Sequence, residues 1–351
     1  MTGALTAEPP PSEPGLPPSE PGLPPSEPGL PPSEPGLPPR PRRITGTAPP
    51  HDLYADAVVA RIPGYRDLTL DLLRPVGAEP VPLVVWIHGG AYLGGTHREM
   101  PPPLQAACLD EHLLGAGFAV AHASYRFSGE ARFPAQILDI RAALRWLRRH
   151  SGELGIDATR FGVWGESAGG HLAALACLAP DAPFTGDDDG ASRGVEEGVP
   201  VGGAAVQAGV VWYAPSDFRT MQGQSGPDAV IDHDAADAPE GLLLGAAIPA
   251  APAAAQAASP VTYAHAGAPP LLLAHGAADR VVPVGQSEQL HRALDGCGAD
   301  SRLTIVPGAD HCFLGVDVEP LVAQAVAFFA EKLGVVPAGE APPLIEGEDS
   351  R

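Results

Sequence analysis

Between Ala57 and Leu333, short apolar runs alternate with longer stretches of mixed polarity. Ala57–Ile62 and Leu68–Leu73 flank Pro63-Gly64 and predict a β-hairpin. Val81–Ile87, Gly117–Ala121, Phe161–Trp164, Val206–Tyr213, Leu271–His275 and Leu303–Val306 are nearly continuous in apolar residues, as strands covered on both faces must be. The intervening stretches predict helices: Leu104–Leu114, closed by Gly115; one entered at Pro134 with Ile137, Ile140, Leu144 and Leu147 on its apolar side; then 168–178, 285–294 and 320–333. In the second of these, Arg141, Arg145, Arg148 and Arg149 read as a solvated face. The alternation predicts a single doubly wound, mostly parallel α/β sheet with helices on both faces. In such a sheet, function gathers beyond the carboxyl ends of the strands.

The flanks do not follow this rhythm. Pro-Ser-Glu-Pro-Gly-Leu-Pro begins at Pro11, Pro18, Pro25 and Pro32, four tandem copies. Proline at that density excludes helix and sheet, and one leucine per repeat buries no core. Residues 1–50 are therefore expected to be an extended, disordered tail, with Arg40, Arg42 and Arg43 keeping it soluble. The folded domain is expected over 51–336, with 214–259, weak in periodicity, as a cap-like insertion and 337–351 as a second disordered tail. The acidic, glycine-rich stretch 181–203 reads as a surface loop.

Charge narrows the partners. Forty-two acidic residues against 21 Lys and Arg give a formal charge of −21, which argues against nucleic acid or an anionic membrane surface as a partner. The longest alanine-rich stretch, Leu242–Ala258, is interrupted by Pro249 and Pro252 and predicts no membrane span. There is no basic segment leading into an apolar one at the start of the chain, and Cys108, Cys177, Cys297 and Cys312 form no C-x-x-C pair. Reduced thiols and a cytoplasmic location are the expectation. The oligomeric state is not specified by the sequence.

The chemistry centres on Gly165-Glu166-Ser167-Ala168-Gly169-Gly170, set between a predicted strand and a predicted helix. That context is the one a G-x-S-x-G nucleophile elbow requires. A serine hydroxyl is a weak nucleophile and must be presented to a base at a sharp turn, which the flanking glycines permit. His311 follows the last predicted strand and Asp279 the one before it, in the order nucleophile, acid, base. Asp217, also after a strand, is the alternative acid; Asp310 is too close in sequence to His311 to reach its ring. The N–H of Ala168 and those of Gly89 and Gly90, after the strand ending at His88, are candidates for an oxyanion hole. His88 itself reads as a loop brace.

His88-Gly89-Gly90-Ala91-Tyr92, Gly165-Glu166-Ser167-Ala168-Gly169-Gly170-His171 and the Asp279 and His311 loops resemble the α/β-hydrolase fold. They are similar to its esterase and lipase branch with an H-G-G-G-type loop. Trp164-Gly165-Glu166-Ser167 and Trp212-Tyr213-Ala214-Pro215-Ser216-Asp217-Phe218 resemble bacterial carboxylesterases of the feruloyl-esterase-like group. The resemblance spans roughly 53–335. It implies a serine carboxylesterase acting on small short-acyl or aryl esters through an acyl-enzyme, without cofactor or metal. The implied triad is Ser167, Asp279 and His311, and the implied oxyanion hole Gly89, Gly90 and Ala168. Tyr92, Glu166 and Met221 are the candidate substrate contacts. Ala91 stands where the family carries a third glycine and is expected to reshape the acyl pocket. An arylformamidase-like amide hydrolase uses the same triad, and a non-catalytic binding protein on this fold remains a third reading.

Overall fold

In the central strands, successive side chains enter two different cores. In Val81–Ile87 (β4), Leu83, Val85 and Ile87 belong to one apolar cluster, Val84 and Trp86 to the other. Leu271 and Leu273 divide from Leu272 and Ala274 in the same way. A strand buried on both faces leaves no position for a polar residue, which explains the unbroken apolar runs. The computed structural model describes residues 36–46, 49–77, 79–184 and 203–335. The repeats up to residue 35, the acidic stretch 185–202 and the C-terminal segment from 336 lie outside the described residues.

The strands are β1 (Arg42–Ile44), β2 (His51–Ala60), β3 (Leu68–Pro75), β4, β5 (Ala119–Ala123), β6 (Ile156–Glu166), β7 (Ala208–Trp212), β8 (Leu271–Gly276) and β9 (Ser301–Val306). They form one sheet in the order β1-β2-β3-β5-β4-β6-β7-β8-β9. The first three pair antiparallel, as do β3 and β5; from β5 through β9 every pairing is parallel. The helices are α1 (Pro102–Ala106), α2 (Leu109–Gly115), α3 (Ala135–Arg149), α4 (Ser151–Leu154), α5 (Ala168–Leu178), α6 (Met221–Gln224), α7 (Pro239–Leu244), α8 (Pro252–Ala258), α9 (Gly285–Gly296) and α10 (Glu319–Leu333). α3, α5 and α9 contribute to one core; α1, α2 and α10 contribute to the core on the opposite face. This is the doubly wound arrangement read from the sequence. Among the described residues no helix is long and apolar enough to cross a membrane.

Three expectations are corrected. The boundary at residue 50 falls inside the sheet: Arg42–Ile44 pairs with His51–Leu53, and Arg43 forms an ion pair with Asp52. Proline-rich composition upstream masked this three-residue strand. The helix expected over Leu104–Leu114 is two, because Cys108 adopts φ 49°, a left-handed conformation that ends one helix and starts the next. The arginines of α3 are not a solvated face. Arg141 is buried, donates to the carbonyls of Ala179 and Ala182, and stacks over Phe184. Arg148 donates to the carbonyls of Ala158, Gly203 and Ala205 and covers Phe161; Arg149 alone of the group is exposed. A helix packed among loops spends its cations on orphan carbonyls, and long apolar stems let arginine do this.

Candidate active site

β6 runs directly into α5 at Ser167, whose backbone sits at φ 52°, ψ −122°. A non-glycine residue held there is strained and lifts its side chain clear of both elements. The strain is fixed by close packing: a Cβ at Gly165 would collide with the carbonyl of Gly169, and one at Gly169 with the carbonyls of Ile87 and His88. α5 therefore lies tight against the end of β4, which glycine alone permits. Ser167 N–H donates to Trp212 O at 3.0 Å, fastening the turn to the neighbouring strand.

The loops after β8 and β9 meet this turn. His311 Nε2 lies 3.0 Å from Ser167 Oγ, and His311 Nδ1 lies 2.8 Å from Asp279 Oδ2. A carboxylate only accepts, so the ring proton sits on Nδ1 and Nε2 accepts from the serine hydroxyl. The Asp279 side chain is fully buried, and its Oδ1 accepts from the N–H groups of Val281 and Val282, both at 2.8 Å. Burial alone would raise its pKa. The hydrogen bonds from His275 and His311 outweigh that and hold the carboxyl well below its ordinary range. The relay can thus take a proton from Ser167 onto an imidazole whose positive charge a buried carboxylate offsets. Asp310 accepts from the Arg280 N–H at 3.1 Å, its guanidinium Nε at 2.9 Å and the His311 N–H at 2.8 Å, tying the two loops together. The alternative acid, Asp217, is spent on Arg219 and on Gln289 Nε2.

The loop after β4 turns sharply, with φ of 105° at Gly90, 57° at Ala91 and 61° at Tyr92. Here the structure corrects two assignments. Glu166 is buried, and its Oε1 accepts the Gly89 N–H at 2.6 Å. Gly89 is therefore not an oxyanion donor, and Glu166 does not line a pocket but holds the loop from behind. A Cβ at Gly89 would collide with that carboxylate. Burial raises the Glu166 pKa, the Gly89 N–H and His311 opposing it in part. His88 braces the same loop: its Nδ1 lies 2.7 Å from Gly89 O, its ring stacks on Tyr125, and burial pushes its pKa down to about 4. Tyr92 and Met221 are enclosed in a small apolar cluster with Ala168, Phe218, Leu243 and Val282, formed where the 214–259 insertion packs beside the elbow. Both stand next to the serine turn, though neither side chain is open to solvent.

Sequence reasoning missed several supports. His275 Nε2 lies 2.9 Å from Val282 O and 3.3 Å from Asp279 Oδ2, so it carries a proton there while Nδ1, 2.7 Å from Ser287 Oγ, accepts. Tyr125 Oη donates to His88 O at 3.0 Å and Gly89 O at 3.1 Å. Behind Tyr125, Arg126 and Asp139 form a fully buried ion pair at 2.8 Å, the carboxylate also accepting the Arg126 N–H. Their signal in the sequence was weak: an acid inside a helix and an arginine after a strand.

Sheet order, elbow and converging loops define an α/β-hydrolase with a serine at the nucleophile position. The chain belongs to the BD-FAE family, whose model matches residues 70–294. It is 29% identical over 298 residues to the esterase LipQ of Mycobacterium tuberculosis, covering 82% of this chain and 64% of that protein. It is 33% identical to the carboxylesterase NlhH of the same organism, covering 54% of each. A truncated carbohydrate esterase from gut microbiota superposes with TM-score 0.66 at 28% identity, covering 80% of this chain and 96% of that one. Esterase Est2 of Thermogutta terrifontis gives 0.60 at 25% identity, covering 81% and 94%. The chain spans less than two thirds of the length of the curated relatives LipQ, LipM and LipC.

Proposed function

We propose that the protein is a serine carboxylesterase that hydrolyses small esters of short-acyl or aryl acids through an acyl-enzyme. The reading rests on the unbroken chain Ser167–His311–Asp279, with both contacts at hydrogen-bond length. Ser167 Oγ attacks the ester carbonyl as its proton passes to His311 Nε2. His311 then protonates the leaving alkoxide, and water repeats the cycle on the acyl-enzyme. The Gly89 N–H is committed to Glu166, which leaves the Gly90 N–H of that loop to face the oxyanion together with the Ala168 N–H. The latter opens a helix and has no acceptor within it. Tyr92 and Met221, enclosed beside the elbow, support the site from within rather than contacting substrate, and the proposed steps call for no metal or cofactor. Esterase names among the relatives support the reaction class, and a partial match to an ethyl acetate hydrolase supports short acyl groups. Four free cysteines support a cytoplasmic location.

The test is turnover of p-nitrophenyl esters from acetate to octanoate, paired with paraoxon labelling and peptide mapping. Turnover falling off with chain length and a phosphoryl group on the Ser167 peptide are expected. Labelling elsewhere, or turnover that survives full labelling, overturns the reading.

Glu166 is expected to act by positioning. In Glu166→Ala the Gly89 N–H loses its acceptor and the oxyanion loop its rear support. Since one oxyanion donor is worth roughly 100- to 1,000-fold in kcat, partial misplacement should lower kcat about 10- to 100-fold. KM should change little. Glu166→Gln, which keeps an acceptor oxygen, should recover most of the loss. Steady-state kinetics on p-nitrophenyl acetate distinguish this from a contact with substrate, which would raise KM in both variants.

A further inference from the structure

The Asp279 carboxylate is held by two consecutive peptide groups. Its Oδ1 accepts the Val281 N–H, from the peptide that carries Arg280 O, and the Val282 N–H, from the peptide that carries Val281 O. Both of those carbonyls are held in turn, and both donors come from the 214–259 insertion. Arg280 O accepts the Val230 N–H at 3.0 Å, and Val281 O lies 3.0 Å from His233 Nε2. A peptide gripped at both ends cannot tilt without losing a bond, and each bond polarises the next. One line of contacts therefore runs from the insertion into the relay: His233 Nε2 to Val281 O, Val282 N–H to Asp279 Oδ1, Asp279 Oδ2 to His311 Nδ1.

The ring that starts this line is itself fixed. His233 and Glu240 are both buried, with His233 Nδ1 3.2 Å from Glu240 Oε2. Gln222 Oε1 accepts the His233 N–H at 2.8 Å. A Cβ at Gly241 would collide with the carbonyls of Ala235 and Ala236, so α7, which carries Glu240, sits hard against the turn that follows the histidine. A carbonyl only accepts, so Nε2 carries a proton toward Val281 O. Nδ1 faces a carboxyl oxygen, so a second proton lies between the two, on the ring or on the acid. In either form the pair has no net charge, which suits its burial. Without Glu240, a neutral ring could carry its single proton on either nitrogen, and in one tautomer a lone pair would face Val281 O. Glu240 thus fixes the ring as a donor, and the ring fixes the peptide that grips Asp279.

We propose that His233 and Glu240 are positioning residues for the triad carboxylate, and that the insertion serves the relay as the rear support of Asp279. The proposal rests on the esterase reading. The test compares His233→Phe, Glu240→Leu and Glu240→Gln in the full chain, by steady-state kinetics on p-nitrophenyl acetate with circular dichroism as the check of folding. His233→Phe removes the donor to Val281 O and should lower kcat about 10- to 100-fold at nearly unchanged KM, the scale of loss that a misplacement of up to about 1 Å produces. Glu240→Leu, which frees the tautomer, should lower kcat in the same way. In Glu240→Gln an amide N–H takes the place of the shared proton, and most of that loss should be recovered. The two Glu240 variants decide the matter where His233→Phe fails to fold. A second readout does not use turnover. The low-field proton resonance of His311 Nδ1, identified by its absence from His311→Gln, should shift or broaden in His233→Phe and Glu240→Leu and return in Glu240→Gln. A folded His233→Phe protein with kcat within about twofold of wild type overturns the proposal. So does a Glu240→Gln protein no better than Glu240→Leu, a rise in KM at unchanged kcat, or a His311 resonance alike in every variant. Failure of the esterase reading looks different, as wild-type protein without ester turnover, and the resonance then still decides whether the insertion positions Asp279.

Discussion

Replacing Ser167 with alanine is expected to lower kcat for p-nitrophenyl acetate by about four to six orders of magnitude, the loss seen when a triad nucleophile is removed. The fold should be unaffected. Ser167 makes its structural contacts through its backbone, the N–H to Trp212 O and the carbonyl to the His171 N–H, and alanine keeps both. The strain at φ 52° is nearly the same for either residue. The residual rate should be that of bound substrate beside the proposed oxyanion donors, the Gly90 and Ala168 N–H groups, independent of His311. Kinetics with circular dichroism check this. A Ser167→Ala protein retaining turnover within tenfold of wild type would mean that the relay is not the reaction path, and a binding role would replace the catalytic one.

The second large effect concerns stability. Asp139→Ala should cost about 3–5 kcal/mol, because it leaves the Arg126 guanidinium buried without its carboxylate. Burial raises the Asp139 pKa even though Arg126 pulls the other way, a sign that desolvation takes up much of what the pair gains. The double variant Arg126→Met/Asp139→Leu should therefore recover much of the loss. It will not recover all, because the Arg126 N–H also loses its acceptor. Urea unfolding measures both. Turnover should fall alongside stability, since Tyr125, adjacent to Arg126, holds the His88 and Gly89 carbonyls. A single-variant cost below about 1 kcal/mol would show that the pair is worth no more than a surface one.

Much of this site was legible because its chemistry imposes local order. A serine elbow needs a strand, a tight turn and a helix in sequence, and the acid and base must follow on strand ends, so Ser167, Asp279 and His311 could be located by position. The parallel strands were legible for the same reason: burial on both faces leaves no polar position. What was not legible depends on contacts distant in sequence. That Gly89 serves Glu166, 77 residues away, is invisible to spacing. The roles of Arg141 and Arg148 depend on which carbonyls the fold leaves unpaired, and helical periodicity reports only which way a side chain points. The strand at Arg42–Ile44 is too short, and too close to proline repeats, to announce itself.

Those two arginines also bear on how the chain can be lengthened. Arg141 anchors Ala179 and Ala182, and Arg148 anchors Gly203 and Ala205, so the backbone is fastened on either side of residues 185–202. The entry to β7 is then set by α3 and not by what lies between the anchors. Doubling the length of chain closed between two fixed points costs only about 0.6 kcal/mol. A change in chain length between the two anchors is therefore expected to leave the register of β6 and β7 unchanged.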